Sequence, residues 1–293
     1  FTLSVLIFFL ALTACNGLQP QPSTQTPSLP PSETPLPPTP SPTSEPLAAR
    51  VNGTGISLAD YQAELGRFQA ALVETGTTAT DAEASQRVLD ALIDEALLAQ
   101  AAAAGGYQAG EGDVQASLDQ MSEKLGGAQA LAEWETKNGY SEESFWRALE
   151  RSLAAAWQRD QILTSVPASA EQIHARQILV LNKETADSIY NNLQSGADFA
   201  TLAEQYDPVT GGELGWFPRG YLTQPAVEEA AFALQPGQYS PVVQTEIGYH
   251  IIEVLEREVR PLAPDALRTL QRSALAEWLQ GKRAESQIEK LLP

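Results

Sequence analysis

The chain has 293 residues, with 18 lysines and arginines against 37 aspartates and glutamates, so its formal net charge is -19. This acidity excludes sequence-independent binding to nucleic acid and electrostatic adhesion to anionic lipid, since both need a basic surface. One cysteine excludes an internal disulfide and a cysteine-rich metal site, and two histidines leave few ligands for a histidine-rich one. We therefore expect no cofactor and no bound metal.

The first residues predict a secretory signal. Residues 1–14 are an apolar run that is too short to cross a bilayer as a stable helix. Small residues then lead to Cys15, an arrangement that resembles a bacterial lipobox. Residues 1–15 are thus predicted to be a signal peptide, with Cys15 the lipidated residue of an extracytoplasmic protein anchored to a bacterial membrane. The alternative is an ordinary signal peptide with an incidental cysteine.

A linker is predicted over residues 16–47. Between Gln19 and Leu47, eleven of the 29 residues are proline, and most of the others are Ser, Thr and Gln. Such a segment cannot bury enough apolar surface to fold, and we expect a disordered tether. In an extended polyproline conformation it would reach roughly 90 Å. A proline-rich ligand for a partner is the alternative.

Residues 48–167 are predicted to be a helical domain. A short extended piece with a turn at 51–56 precedes the first helix, which Ser57 caps. Apolar residues recur at helical spacing in the segments that follow. The further helices are expected at 81–104, 113–125, around Leu131 and Trp134, and from Ser141 through Trp157.

The pattern changes after Pro167 to an α+β module. A strand is expected at 173–181 and a hairpin from 239–245 and 248–255, because β-branched and aliphatic residues dominate there. Short helices are expected at 185–193, 198–206 and 225–234. A long helix is expected from Pro264 to Leu292.

Several blocks in the module resemble the parvulin (PpiC-type) peptidyl-prolyl isomerases. These blocks are ARQILV (175–180), DFATLAEQY (198–206), GGELGWF (211–217), EEAAFAL (228–234), PGQYSPVVQT (236–245) and GYHII (248–252). The whole assembly resembles the SurA/PrsA group of foldases. The resemblance implies a SurA-like helical chaperone domain at 48–167, a parvulin domain with an antiparallel sheet and short helices at 168–260, and a C-terminal helix at 261–293 that returns to the helical domain.

The resemblance also implies the catalytic residues. His250 and Thr245 match the family's second histidine and its threonine, whereas the first histidine falls on Gln177. His174 cannot replace it, because residues 174 and 177 of one strand face opposite sides of a sheet. Asp207 is the candidate for the family's Cys/Asp position. His250 has a second interpretation, as a buried structural histidine.

The family's apolar proline pocket is assigned in the same way. Its phenylalanine falls on Val227 or one residue away, since the segment before it carries a one-residue insertion. The pocket residues implied by the resemblance are Leu214, Phe217, Leu222, Val227 and Phe232.

The predicted function is that of a lipid-anchored peptidyl-prolyl cis/trans isomerase and foldase. Its partners would be unfolded, newly exported polypeptides with X-Pro bonds, together with the membrane that holds its lipid. Gln177 and Val227 keep a second hypothesis open, a holdase chaperone whose parvulin domain binds peptide with little or no isomerase activity. A solute-binding lipoprotein is disfavoured, because the chain lacks the long alternation of strands and helices of a two-lobed binder.

Overall fold

The computed structural model describes residues 45–292. The predicted signal, the lipidation residue Cys15 and the linker up to residue 44 lie outside the described residues. The described part forms one compact unit.

The amino-terminal half begins with two strands and continues with five helices. Ser57 caps the first helix by accepting a hydrogen bond from the Asp60 backbone nitrogen, as its sequence position predicts. Thr80 and Glu83 form a reciprocal capping box on the second helix. The elements are β1 Leu47–Val51, β2 Thr54–Ser57, α1 Leu58–Thr75, α2 Asp81–Ala104, α3 Glu111–Leu125, α4 Ala128–Lys137 and α5 Glu142–Ser165.

The isomerase-like half follows as a sheet with short helices. The hairpin turn at Glu246 and Ile247 is confirmed, but its first strand is shorter than the predicted 239–245. The elements are β3 Ser169–Val180, α6 Lys183–Gln194, α7 Phe199–Tyr206, β4 Glu213–Pro218, α8 Pro225–Ala233, β5 Val243–Thr245 and β6 Gly248–Pro261.

The four-stranded sheet has the order β4-β3-β6-β5, and every neighbouring pair is antiparallel. Because successive side chains alternate, the two central strands, β3 and β6, each contribute to two separate cores. One face packs Ile173, Ala175 and Ile252 with α8, and the other packs Ile178 and Ile251 with α6 and α7. The α+β class with a parvulin-like antiparallel sheet is thus confirmed.

The chain then returns to the amino-terminal half. Helix α9, Pro264–Glu285, packs Trp278 and Leu279 with Leu98 of α2 and Ile162 of α5. The helix predicted to run to Leu292 ends earlier, and strand β7, Ile288–Lys290, follows it. This strand pairs with β1, so β2, β1 and β7 form a three-stranded sheet that the sequence analysis did not predict.

Polar contacts hold helix α9 and the residues after it against the amino-terminal half. The Asn52 side chain, in the β1–β2 turn, donates to Gln100 at 2.9 Å and accepts from the Gln287 backbone nitrogen at 2.9 Å. Arg283 of α9 donates to Asp94 at 2.6 Å and to the Asp90 carbonyl at 2.9 Å. The two halves of the sequence therefore share one helical core.

Within residues 45–292, no helix combines the length and the apolar character that a membrane span requires.

The Arg283 contacts predict a loss of stability on truncation. The side chains of Arg283, Asp90 and Asp94 are about two-thirds buried. We therefore expect Arg283→Ala to lower the free energy of unfolding by about 1–2 kcal/mol. Arg272→Ala, on the same helix, is the control and is expected to change stability little, because Thr269 is its only side-chain partner among the described residues. Chemical denaturation of both variants measures the difference, and equal values would contradict the assignment.

Candidate active site

Three polar side chains from three strands meet on one face of the sheet. Strand pairing places Gln177 opposite Ile252 and Leu179 opposite His250, so Gln177 and His250 lie on the same face of adjacent strands. The His250 Nδ1 atom is 2.8 Å from Gln177 Oε1. Its Nε2 atom is 2.8 Å from Thr245 Oγ1, on the neighbouring β5. The structure therefore brings together three of the four predicted catalytic residues.

The imidazole at the centre of this network is buried. His250 is only 1% exposed, and this burial lowers its pKa below the ordinary value of a histidine. The ring is consequently neutral near pH 7 and carries one proton. Because Gln177 Oε1 can only accept, that proton is on Nδ1, and Nε2 accepts from the Thr245 hydroxyl. His250 thus orients the two outer groups and has no surface with which to contact a peptide.

Gln177 is further held through its backbone. Its nitrogen donates to the carbonyl of Gly212 at 2.8 Å. Gly212 has φ +72°, and a Cβ atom there would lie 1.9 Å from the Gln177 carbonyl oxygen. Only glycine fits at this crossing, which accounts for the glycine at position 212 of the GGELG segment.

The predicted pocket residues occupy two depths. Leu214 and Leu222 are half-buried and pack on the core of this face, so their side chains reach the surface beside the network. Val227, Phe217 and Phe232 are buried beneath them. The two phenylalanines meet edge to face, with ring centroids 6.1 Å apart, and pack in the core beneath the half-buried leucines.

Asp207 takes part in a separate set of hydrogen bonds. Its carboxylate accepts from the backbone nitrogens of Val209 and Thr210 and from the Thr210 hydroxyl. The Thr210 hydroxyl bond, with the backbone bonds, lowers the pKa of Asp207. Among the hydrogen bonds of the described residues, none joins Asp207 to Gln177, Thr245 or His250. Its geometry is that of a turn-forming residue.

His174 lies on the opposite face of the sheet, as the strand alternation predicted. Its ring stacks on Trp216, with centroids 5.2 Å apart. Its Nε2 atom is 2.5 Å from Glu213 Oε1, and its Nδ1 atom is 3.4 Å from Glu256. It therefore takes no part in the network around His250.

One residue of the site was missed by the sequence analysis. The Glu228 carboxylate, on α8, accepts from the backbone nitrogens of Gly220 at 2.7 Å and of Tyr221 and Leu222 at 3.0 Å each. It thereby fixes the segment 219–224, here called the pocket loop, which carries Leu222. A glutamate in the first turn of a helix is typical of any helix, so the local sequence gives no signal of this role.

Across residues 45–292, no group of three or more His, Cys, Asp or Glu side chains converges as metal ligands would.

The buried His250 predicts a pH dependence of stability. Its folded-state pKa is lowered, so the unfolded chain binds a proton at a pH where the folded chain does not. Its contribution to stability is therefore complete above the unfolded pKa of about 6.5 and is lost as the pH falls towards the folded pKa. Chemical denaturation at pH 7.5 and at pH 5.5 should show that the free energy of unfolding falls less between the two pH values in His250→Gln than in the parent.

Gln244→Ala, at an exposed and uncharged position of β5, is the control and should keep the parent's loss of stability between the two pH values. An unchanged loss in His250→Gln would contradict the neutral, buried imidazole.

Comparison with known proteins identifies both halves. Residues 158–258 match the model of the PPIC-type PPIASE domain, and residues 40–141 match that of the SurA-like N-terminal domain. The foldase protein PrsA of Geobacillus sp. (strain WCH70) is 37% identical over 126 residues, covering 41% of this chain and 45% of that protein. The chaperone SurA of Dechloromonas aromatica (strain RCB) is 35% identical over 150 residues, covering 44% and 34%.

The chain thus aligns with less than half the length of these two curated relatives. Among solved structures, the peptidylprolyl isomerase PrsA from Bacillus anthracis overlaps 67% of this chain and 96% of that chain, with 25% identity and a TM-score of 0.43. The two family matches confirm the resemblance that the sequence blocks predicted. The chain therefore carries a domain of the PpiC-type peptidyl-prolyl isomerase family together with a SurA-like N-terminal domain.

Proposed function

We propose that this protein is a peptidyl-prolyl cis/trans isomerase and foldase that acts on the X-Pro bonds of unfolded, exported polypeptides. The observation that carries the proposal is the Gln177–His250–Thr245 network beside the apolar Leu214 and Leu222. The lipid on Cys15 and the proline-rich linker would hold the protein at the outer side of a bacterial membrane.

The reaction needs neither a cofactor nor a broken bond. The barrier to rotation of a peptide bond is about 18–20 kcal/mol, and it arises from resonance between the nitrogen and the carbonyl. Twisting the X-Pro bond removes this resonance and leaves a lone pair on the proline nitrogen. A site that holds the ring in an apolar pocket and donates a hydrogen bond to that nitrogen stabilises the twisted state more than either planar state.

Gln177 is the donor that this geometry supplies. Its Oε1 atom is occupied by the His250 ring, and within residues 45–292 its amide nitrogen has no hydrogen-bond partner. The side chain is only half-buried, so the amide can meet a bound peptide. His250 fixes the orientation of this amide, which makes His250 a positioning residue in the proposed mechanism.

The proline ring would be held by the two half-buried leucines. Leu214 and Leu222 stand above the buried Phe217, Phe232 and Val227. The family's phenylalanine falls on the buried Val227 or one residue away, so the apolar surface offered to the ring is smaller by an aromatic side chain, at a cost of about 1–2 kcal/mol. We therefore propose an isomerase of modest activity.

A second candidate is a holdase that binds unfolded chains without isomerising them. It is favoured by an open cleft of about 430 Å³ between α2 and α5, whose lining is mostly apolar and includes Ala99, Ala103, Tyr107 and Ala154. The curated relatives are named foldase and chaperone, which supports unfolded polypeptide as the substrate of either candidate.

The proposed function is tested by NMR exchange measurements of cis/trans interconversion in short X-Pro peptides. The parent protein should accelerate exchange, and His250→Ala should reduce that acceleration by roughly tenfold, since Gln177 then loses its orientation. His174→Ala, on the opposite face of the same sheet, is the control and should retain the parent's rate. Thermal unfolding of each variant verifies that it is folded.

Gln177→His separates the two candidates. An inactive parent that gains activity with this change would mean that the pocket binds proline while the donor is inadequate. The result would favour the holdase if neither the parent nor any variant accelerates exchange, while the folded protein suppresses aggregation of an unfolded client.

A further inference from the structure

The pocket loop makes a contact with the helical half of the protein that neither the resemblance nor the proposed chemistry requires. The Tyr221 hydroxyl donates to the Asp265 Oδ2 atom at 2.6 Å. Asp265 lies in the first turn of α9, outside the sheet that builds the candidate active site. This hydrogen bond therefore joins the substrate pocket to the returning helix.

The contact is reinforced by close packing. Gly220, the preceding residue, has φ +79°, and a Cβ atom added to it would lie 3.2 Å from the Cδ2 atom of Leu270 on α9. The pocket loop thus meets this helix at two successive residues, Gly220 through its backbone and Tyr221 through its hydroxyl. On its other side the Tyr221 ring packs on the apolar core of the isomerase domain, together with Leu214 and Leu222.

The loop is consequently held from two directions. Glu228 of α8 accepts hydrogen bonds from three consecutive backbone nitrogens, ending with that of Leu222. Asp265 of α9 accepts a hydrogen bond from the side-chain hydroxyl of Tyr221, the middle residue of these three. Glu228 sets the path of the loop relative to the isomerase sheet, and Asp265 sets it relative to the helical half.

The charge state of the pair favours this bond at neutral pH. The hydrogen bond to Tyr221, with the adjacent backbone nitrogens, lowers the pKa of Asp265. The same bond raises the pKa of Tyr221. A carboxylate that accepts from a neutral phenol is a charge-assisted hydrogen bond, which is stronger than one between two neutral groups.

We propose that Tyr221 and Asp265 are positioning residues of the proline pocket, through which α9 fixes the pocket loop and so sets the affinity of the isomerase for X-Pro peptides. This inference rests on the proposed function. It adds that the helical half acts on the isomerase site, through Leu222, and does not serve only as a separate binding surface.

The first test removes one oxygen atom. Tyr221→Phe keeps the ring in the core and deletes the hydroxyl, and Asp265→Ala deletes its acceptor. Both should raise the KM for a short X-Pro peptide by roughly three- to tenfold while kcat changes less than twofold, because the loop binds the ring and the Gln177 donor is untouched. The double variant should be no worse than either single one, since both remove the same bond.

Two further variants separate positioning from general destabilisation. Asp265→Asn keeps an oxygen that can accept from Tyr221 and should restore most of the parent's KM. Tyr190→Phe removes a hydroxyl that bonds Gln194 on α6, on the other face of the sheet, and should leave KM unchanged. A fall in thermal stability with an unchanged KM in Tyr221→Phe would overturn the proposal.

A measurement that does not depend on activity tests the positioning role even if the proposed function is wrong. The backbone amide signals of Gly220 and Leu222 should shift in Tyr221→Phe and Asp265→Ala, return towards the parent position in Asp265→Asn, and stay in place in Tyr190→Phe. If the parent does not isomerise peptides, these shifts and the Kd of a proline peptide replace KM. Unmoved loop signals in Tyr221→Phe would overturn the positioning role whether or not the parent is active.

Discussion

The antiparallel pairing of β3 with β6 is the constraint on which the rest of the structure depends. It runs from Ser169 opposite Pro261 to Val180 opposite Tyr249, with one irregularity near His174. At one end it brings the entry and the exit of the isomerase domain side by side, so that α5 and α9 can pack together. Towards the other end it sets Gln177 and His250 on one face. The same register therefore determines both how the domain is inserted and how its site is assembled.

Much of the fold follows from local pattern. The long helices were predictable because caps such as Thr80 and apolar spacing act within a few residues. Strand β7 was not, because three residues carry no period of their own and become a strand only through pairing with β1. The segment 239–245 was predicted too long, since only Val243–Thr245 pairs as a strand and Tyr239 makes an isolated bridge.

The candidate site, like the fold, was predictable from the sequence only in part. Gln177, Thr245 and His250 were assigned from sequence blocks, and the structure places them within hydrogen-bonding distance. Glu228 and Asp265 could not be assigned. The partners of Glu228 are backbone groups, and that of Asp265 is a tyrosine 44 residues away, so no local sequence pattern indicates either contact. A buried His250 was only one of its two interpretations, since spacing gives the face of a strand but not what covers it.

The network itself is neutral from end to end, in a chain whose net charge is -19. An amide, an uncharged imidazole and a hydroxyl each satisfy the next, so the buried ring needs no counterion. This neutrality would suit the proposed substrate, because an X-Pro amide offers a dipole and not an ion, and an ionised side chain beside it would need solvation that an apolar pocket does not provide.

The pairing of β1 with β7 has a consequence for the order in which this protein folds. The helical and isomerase segments lie between the two strands, so β1 is synthesised long before its partner. Contacts so distant in sequence form late, because the entropy of closing the loop is lost before the contact is gained. The inserted domain has its strands close together in sequence and can reach its fold first. A nascent chain of this protein would thus carry a folded PPIC-type domain while one edge of its β1 strand is still unpaired.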